Sequence, residues 1–229
     1  IDKNKIKESS KYFDEVRNVK DIENKNIVKV NYATYDDDNI YISMPYYKNG
    51  SLQDILQERN LTVREIVKYS LEILSGLYYI HKKNILHCDI KPSNILIDDY
   101  GCAVLADFGS AININHSGVG KLKNVYYKHI APEQCYSSRV DVRVDIYQFG
   151  NTLYRMCNGE EEYNKQVKKS KNMTELKNAI VNGSFPSRKK YYPHIPRKLN
   201  KKTKKCINID ADKRYQDVLD ILNDMAKVN

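Results

Sequence analysis

A chain of 229 residues with 41% hydrophobic and 29% charged residues is long enough to bury a real core, and none of its apolar runs approaches the ~20 residues of a membrane span. Five cysteines (Cys88, Cys102, Cys135, Cys157 and Cys206) form no CxxC pair, which argues against a disulfide framework or a zinc site and for free thiols in a reducing, cytoplasmic setting. The net charge of +9 is uneven: residues 163–205 hold fourteen Lys or Arg and one acid, Glu175, so this stretch is either a docking surface for an acidic protein or nucleic acid, or a solvated face. It contains no nucleic-acid-binding motif.

In chain order, residues 9–22 (SSKYFDEVRNVKDI) put Phe13, Val16, Val19 and Ile22 on one helical face, with Ser9 and Ser10 as caps. Strand-like runs at 27–33 (IVKVNYA) and 39–46 (NIYISMPY) flank an acidic turn, YDDD, and Asn49-Gly50 marks another turn. Helices are predicted over 51–58 and 62–82, the second apolar on a broad face and therefore buried. Short strands at 94–98 and 103–107 enclose a DDYG turn, and helices follow at 142–157, 173–181, 197–207 and 215–227. No internal repeat is visible. A little β-structure followed mostly by helix predicts an α+β fold dominated by helix.

The informative stretch is HCDIKPSNILID, residues 87–98: a His, an Asp two residues on, and an Asn five beyond that Asp. Asp107-Phe108-Gly109 follows thirteen residues past Asn94. In this order and spacing the two motifs resemble the catalytic loop and the metal-binding Asp-Phe-Gly of protein kinases. Phosphoryl transfer needs an oriented hydroxyl, metal ions on the phosphates and positive charge where negative charge develops. The resemblance implies ATP and Mg2+ as cofactors. Asp89 would orient the substrate hydroxyl, Lys91 would neutralise the transferred phosphate, and Asn94 and Asp107 would hold Mg2+.

More of the chain is similar to this family. Ala131-Pro132-Glu133 resembles the motif closing the activation segment, and Asp145-Ile146-Tyr147-Gln148-Phe149-Gly150 resembles the start of the large buried helix, whose Asp ties down the catalytic loop. Arg214 stands where relatives place the partner of that closing Glu, so a Glu133–Arg214 ion pair is expected. Glu15, thirteen residues before Val28, matches the regulatory-helix Glu that pairs with a strand Lys and so helps bind the nucleotide. Met44-Pro45-Tyr46-Tyr47 reads as gatekeeper and hinge, with adenine receiving a carbonyl from Pro45 and an N–H from Tyr47. The implied fold is kinase-like: a partial N-lobe over 1–47, reduced to one helix, two strands and the hinge, and a helical C-lobe over 48–229.

Three features depart from the family. No glycine precedes Gly50, so there is no Gly-rich loop ahead of Glu15; Lys3, Lys5 and Lys7 stand too close to Glu15 to be its strand partner. The chain, which opens on Ile1, therefore reads as a fragment beginning just after that lysine, with weak activity expected of the fragment alone. Cys88 replaces the Arg that gathers a phosphorylated activation loop. Tyr126 stands where Ser/Thr kinases usually carry a Thr, which leaves dual specificity open. The first reading is a Ser/Thr protein kinase acting on a protein substrate, possessing no membrane segment and no nucleic-acid partner. The alternatives are a pseudokinase serving as an interaction module, and a small-molecule kinase of the aminoglycoside-phosphotransferase kind, which Ala131-Pro132-Glu133 disfavours.

Overall fold

Pairing at the front of the chain departs from the predicted strands. The computed structural model describes residues 23–36, 40–122 and 129–228; the predicted helix over 9–22, Glu15 and Tyr126 lie outside the described residues. β1 (Tyr32–Tyr35) and β2 (Ile40–Ser43) are antiparallel, with Tyr32 opposite Ser43 and Tyr35 opposite Ile40, so the ladder takes in Tyr35, which the sequence reading puts in the turn. Ile27 and Val28 leave the predicted strand. Val28 N–H donates to the Leu105 carbonyl at 2.8 Å, and Leu105 N–H donates to the Asn26 carbonyl at 2.8 Å. Both side chains are buried, because the helical part of the molecule offers them apolar surface that an isolated two-stranded ladder cannot.

The next helices start where the chain supplies reciprocal caps. At α1 (Leu52–Glu58) the Ser51 hydroxyl accepts from Asp54 N–H at 3.3 Å, and the Asp54 carboxylate accepts from Ser51 N–H at 2.7 Å. Thr62 and Glu65 do the same for α2 (Val63–Lys82), at 3.3 and 2.8 Å. Each box satisfies donors that a helix start leaves unpaired. Ile66, Tyr69, Ile73, Leu77 and Ile80 form the buried face of α2, each fully buried aliphatic side chain contributing about 1.5–3 kcal/mol. A Cβ at Gly76 would stand 2.8 Å from both the Asn26 carbonyl oxygen and Leu105 Cδ1, so glycine lets the front segment close on this helix.

Two short ladders then frame the candidate loop. β3 (Ile85–Leu86) pairs with β6 (Ile112–Asn113), and β4 (Ile95–Ile97) with β5 (Ala103–Leu105), both antiparallel. Segments 87–94 and 106–111 are thereby pinned at both ends and held side by side. β7 (Gly120–Lys121) pairs with β8 (Arg139–Val140).

α3 (Val142–Val167) is buried along most of its length, as befits a helix surrounded by others. It runs past its predicted end at 157 after a break at Gly159, whose φ of 76° suits glycine. A buried Arg155–Glu160 pair at 2.6 Å spans the break. α4 (Met173–Val181), α5 (Arg197–Cys206) and α6 (Val218–Met225) complete the described helices. The last starts three residues later than predicted, where the Asp217 carboxylate accepts from Leu219 N–H at 2.7 Å. α6 and α3 pack on α2, and α5 packs on α3. Among the described residues the architecture is mixed and helix-dominated, and the sheets are two-stranded. No helix among the described residues is long and apolar enough to cross a membrane.

The basic stretch is partly neutralised by local partners. Lys190 lies 2.7 Å from Glu162 and Lys202 lies 3.8 Å from Asp224, while Lys205 sits 3.8 Å over the Tyr215 ring. α5 buries Leu199, Thr203 and Cys206 and turns Arg197, Lys198 and Lys201 to solvent.

Candidate functional site

Asp145, in the first turn of α3, is the anchor of the 87–94 loop. Its carboxylate accepts from the N–H groups of His87 and Cys88 at 2.9 and 2.8 Å, with His81 Nε2 at 2.7 Å. The side chain is fully buried. Burial works against its ionisation, but the His81 hydrogen bond, the charges of His81 and His87 and the His87 N–H together hold the carboxyl below the usual range. Its place at a helix N-terminus favours the anion too.

Such a depressed carboxyl gives the fold an acid limit. The stabilisation is complete above the unfolded carboxylate value of about 4 and is lost as pH falls through the folded value. Glu65 acts in the same sense, its carboxyl drawn down to about 2 chiefly by the Arg59 hydrogen bond. The thermal midpoint should therefore fall steadily as pH drops from about 5 towards 2; a midpoint that stays level across that window would contradict this.

One turn beyond Asp145, Gln148 meets the same loop. Its Oε1 accepts from Ile90 N–H at 2.9 Å and its Nε2 donates to the Cys88 carbonyl at 2.8 Å. Sequence reasoning missed this residue and His81. The available signal was a polar residue three positions after Asp145, on the same face of a helix otherwise built for burial.

Asp89, Lys91 and Asn94 are brought together. The Asp89 Oδ2 accepts from Lys91 Nζ at 2.6 Å and from Asn94 Nδ2 at 2.9 Å, and the same amide donates to the Asp89 carbonyl at 3.0 Å. Asp89 and Asn94 are buried and Lys91 is half-buried. With its donor group turned onto Asp89, Asn94 has its Oδ1 on the other side, 3.4 Å from Ser93 Oγ.

The Asp107 segment is tied to this loop through the backbone. Ala106 N–H donates to the Asn94 carbonyl at 2.9 Å, and His87 Nε2 donates to the Ala106 carbonyl at 3.1 Å. The His87 and Phe108 rings lie 4.7 Å apart. Strand β5 ends at Leu105, so Asp107 stands two residues beyond it. It adopts a left-handed conformation (φ 60°, ψ 73°), its exposed carboxylate accepting from Gly109 N–H at 3.4 Å. Asn84 and Cys88 are left-handed as well; each such residue costs about 1–2 kcal/mol, and strain of this kind gathers at functional sites.

Pro45 and Tyr47 lie on the segment joining β2 to α1. Pro45 is exposed and Tyr47 is half-buried, with the Tyr47 carbonyl accepting from Gly50 N–H at 3.1 Å. Among the described residues neither shares a hydrogen bond with the loop cluster. Cys88 packs in an apolar cluster that includes Leu86, Leu122, Ile130 and Val144. Burial first, then the charges of Asp145 and Asp89, push its thiol well above the usual range.

The expected Glu133–Arg214 pair is present and bidentate, with both contacts at 2.7 Å. The Arg214 guanidinium also donates to the carbonyls of Asn208 and Arg143 at 2.7 and 3.0 Å and covers the Tyr147 ring at 4.7 Å. Among the described residues no cluster of three or more His, Cys, Asp or Glu side chains is arranged to hold a metal. Asn94 and Asp107 fall outside that definition, as one amide oxygen and one carboxylate. Such hard oxygens suit Mg2+, which is commonly held by one or two protein carboxylates with waters and phosphates completing its shell.

Comparison with known proteins accords with this geometry. The family model described as "Protein kinase domain" matches residues 1–225. A protein of Clostridium acetobutylicum named a "probable serine/threonine-protein kinase" is 32% identical over 211 residues, covering 90% of this chain and 31% of its own length. One of the same description from Clostridium perfringens is 29% identical over 213 residues, 92% of this chain and 30% of its own. A serine/threonine-protein kinase of Arabidopsis thaliana is 26% identical over 224 residues, 94% of this chain and 37% of its own. The chain spans about a third of the length of these relatives.

Proposed function

We propose, from the premise that this chain belongs to the protein kinase domain family, that it is a Ser/Thr protein kinase transferring the γ-phosphoryl group of ATP to a protein hydroxyl in the presence of Mg2+. The observation that carries this reading is the convergence of Lys91 Nζ and Asn94 Nδ2 on one oxygen of Asp89. Both contacts go to Oδ2, and the other carboxylate oxygen would take the hydroxyl proton as the substrate oxygen attacks phosphorus and the bond to ADP breaks. Lys91 would remain beside the site as the positive charge facing the transferred group. Asn94 Oδ1 and the Asp107 carboxylate would hold Mg2+, which when bound neutralises phosphate oxygens. Pro45 and Tyr47 would hold adenine by a carbonyl and an N–H, and Glu15 would orient the phosphate-binding lysine.

In this reading residues 1–47 form part of the small lobe and 48–229 the helical lobe. The five cysteines are all free thiols, in keeping with a cytoplasmic protein. Mixed with radiolabelled ATP, Mg2+ and a generic basic protein, the full-length protein should label Ser or Thr and lose that activity on chelation by EDTA. Tight ATP binding without transfer would favour a pseudokinase instead, and phosphotyrosine as the main product would overturn the Ser/Thr assignment.

A further inference from the structure

We propose that Gln148 is a positioning residue for Asp89, acting through the two peptide groups that flank it; the inference rests on the reading of Asp89 as the carboxylate that orients the hydroxyl. A single side-chain amide reaches both neighbours of Asp89. Its oxygen accepts from Ile90 N–H at 2.9 Å and its nitrogen donates to the Cys88 carbonyl at 2.8 Å. The intervening backbone is not one that relaxes into place by itself, since Cys88 is left-handed, with φ 63°, a conformation that side chains with a Cβ adopt only when their surroundings enforce it.

The enforcement comes from one turn of α3. Asp145 takes the N–H groups of His87 and Cys88, and Gln148 takes the carbonyl of Cys88 and the N–H of Ile90. Asp89 is thus the residue between the two bonds made by Gln148. Gln148 is only 2% exposed and Ile90 only 1%, so water has little access to replace a missing partner. Without the amide, the peptide planes on either side of Asp89 lose the contact that sets their rotation. Their rotation swings the carboxylate relative to Lys91 and Asn94. The role requires a donor and an acceptor at the tip of a side chain of this length: Glu lacks the donor, Asn is a methylene short, and Leu has neither.

The test uses the full-length protein. Gln148→Leu should lower kcat about 100-fold, the scale expected when a reacting group is displaced by around an ångström, with KM for ATP within about twofold of the original because nucleotide contacts lie elsewhere. Gln148→Glu, which retains an acceptor for Ile90 N–H, should fall between the two. In an Asp89→Asn background, Gln148→Leu should lower the residual rate no further, a non-additivity that a purely structural role would not produce. Amide exchange at Ile90 should quicken in Gln148→Leu while that at His87, held by Asp145, stays slow. A folded Gln148→Leu protein with an undiminished kcat, equal losses in both backgrounds, or unchanged Ile90 exchange each overturn the proposal. If the unmutated protein transfers no phosphate, it is the kinase reading that fails, and the exchange comparison still judges the clamp. Should Gln148→Leu not fold, Gln148→Glu is put through the same comparisons.

Discussion

Replacing Asp89 or Asp107 by Asn is expected to remove phosphate transfer while leaving the fold intact. Asp107 is exposed on a left-handed turn, and the Asp89 carboxylate accepts from Lys91 and Asn94. Each substitution changes the volume little and deletes a charge. In the proposed reaction that charge acts chiefly in the transition state, Asp89 by taking a proton and Asp107 through Mg2+. Loss of such a group costs several kcal/mol, or about three orders of magnitude or more in rate. Radiolabel transfer by Asp89→Asn, Asp107→Asn and the unmodified protein makes the comparison, with thermal melts confirming equal folding. An Asp107→Asn protein as active as the original would remove the metal role from this residue. Full activity in Asp89→Asn would do the same for the proton-accepting role.

The second large effect falls on stability and not on chemistry. Arg214→Met should destabilise the fold by about 3–5 kcal/mol, the range for breaking a buried pair on one side. The Arg214 side chain is fully buried, Glu133 is 28% exposed, and the guanidinium also serves the carbonyls of Asn208 and Arg143. Removing Arg214 strands those acceptors along with the carboxylate. Glu133→Gln should cost less, since a neutral amide oxygen still accepts from the guanidinium and is nearer to solvent. Urea unfolding with both slope and midpoint recorded would decide it. A loss for Arg214→Met below about 1 kcal/mol would put the pair in the class of exposed surface bridges.

The two sets of residues divide the molecule's work. Asp145 and Gln148 hold the loop through hydrogen bonds to its backbone, and in the proposed reaction the side chains of Asp89 and Lys91 would act on the substrate. Glu133 and Arg214 instead join the turn Pro132–Cys135 to the segment before α6 and to the start of α3. Because the α3 start also carries Asp145, a slackened Glu133–Arg214 contact would be felt at the loop, though more weakly than by loss of Asp145 itself.

The sequence by itself indicated most of the helices beyond residue 50 and the spacing of the chemical motif. The apolar period of α2 acts within a few residues and so is legible in one dimension; the caps of Ser51 with Asp54 and Thr62 with Glu65 act over the same short range but emerged only with the structure. The spacing of Asp89, Lys91, Asn94 and Asp107 was legible for the same reason as that period, whereas the partner of Glu133, 81 residues away, came from the family resemblance alone. Tertiary structure alone decided where Ile27 and Val28 pair: their strand-like pattern says that they want burial but not against what, and Leu105, far away in the chain, provides it. The predicted helix end at 157 falls two residues before the break at Gly159, but the continuation to Val167 was not legible, because glycine within a helical pattern does not say whether the helix stops or merely bends. Gln148 is the clearest case. A polar residue in a buried helix carries no local sign of its partners, and the two hydrogen bonds of Gln148 exist only because β3 and β4 deliver the loop between them, with its left-handed Cys88, to that turn of α3.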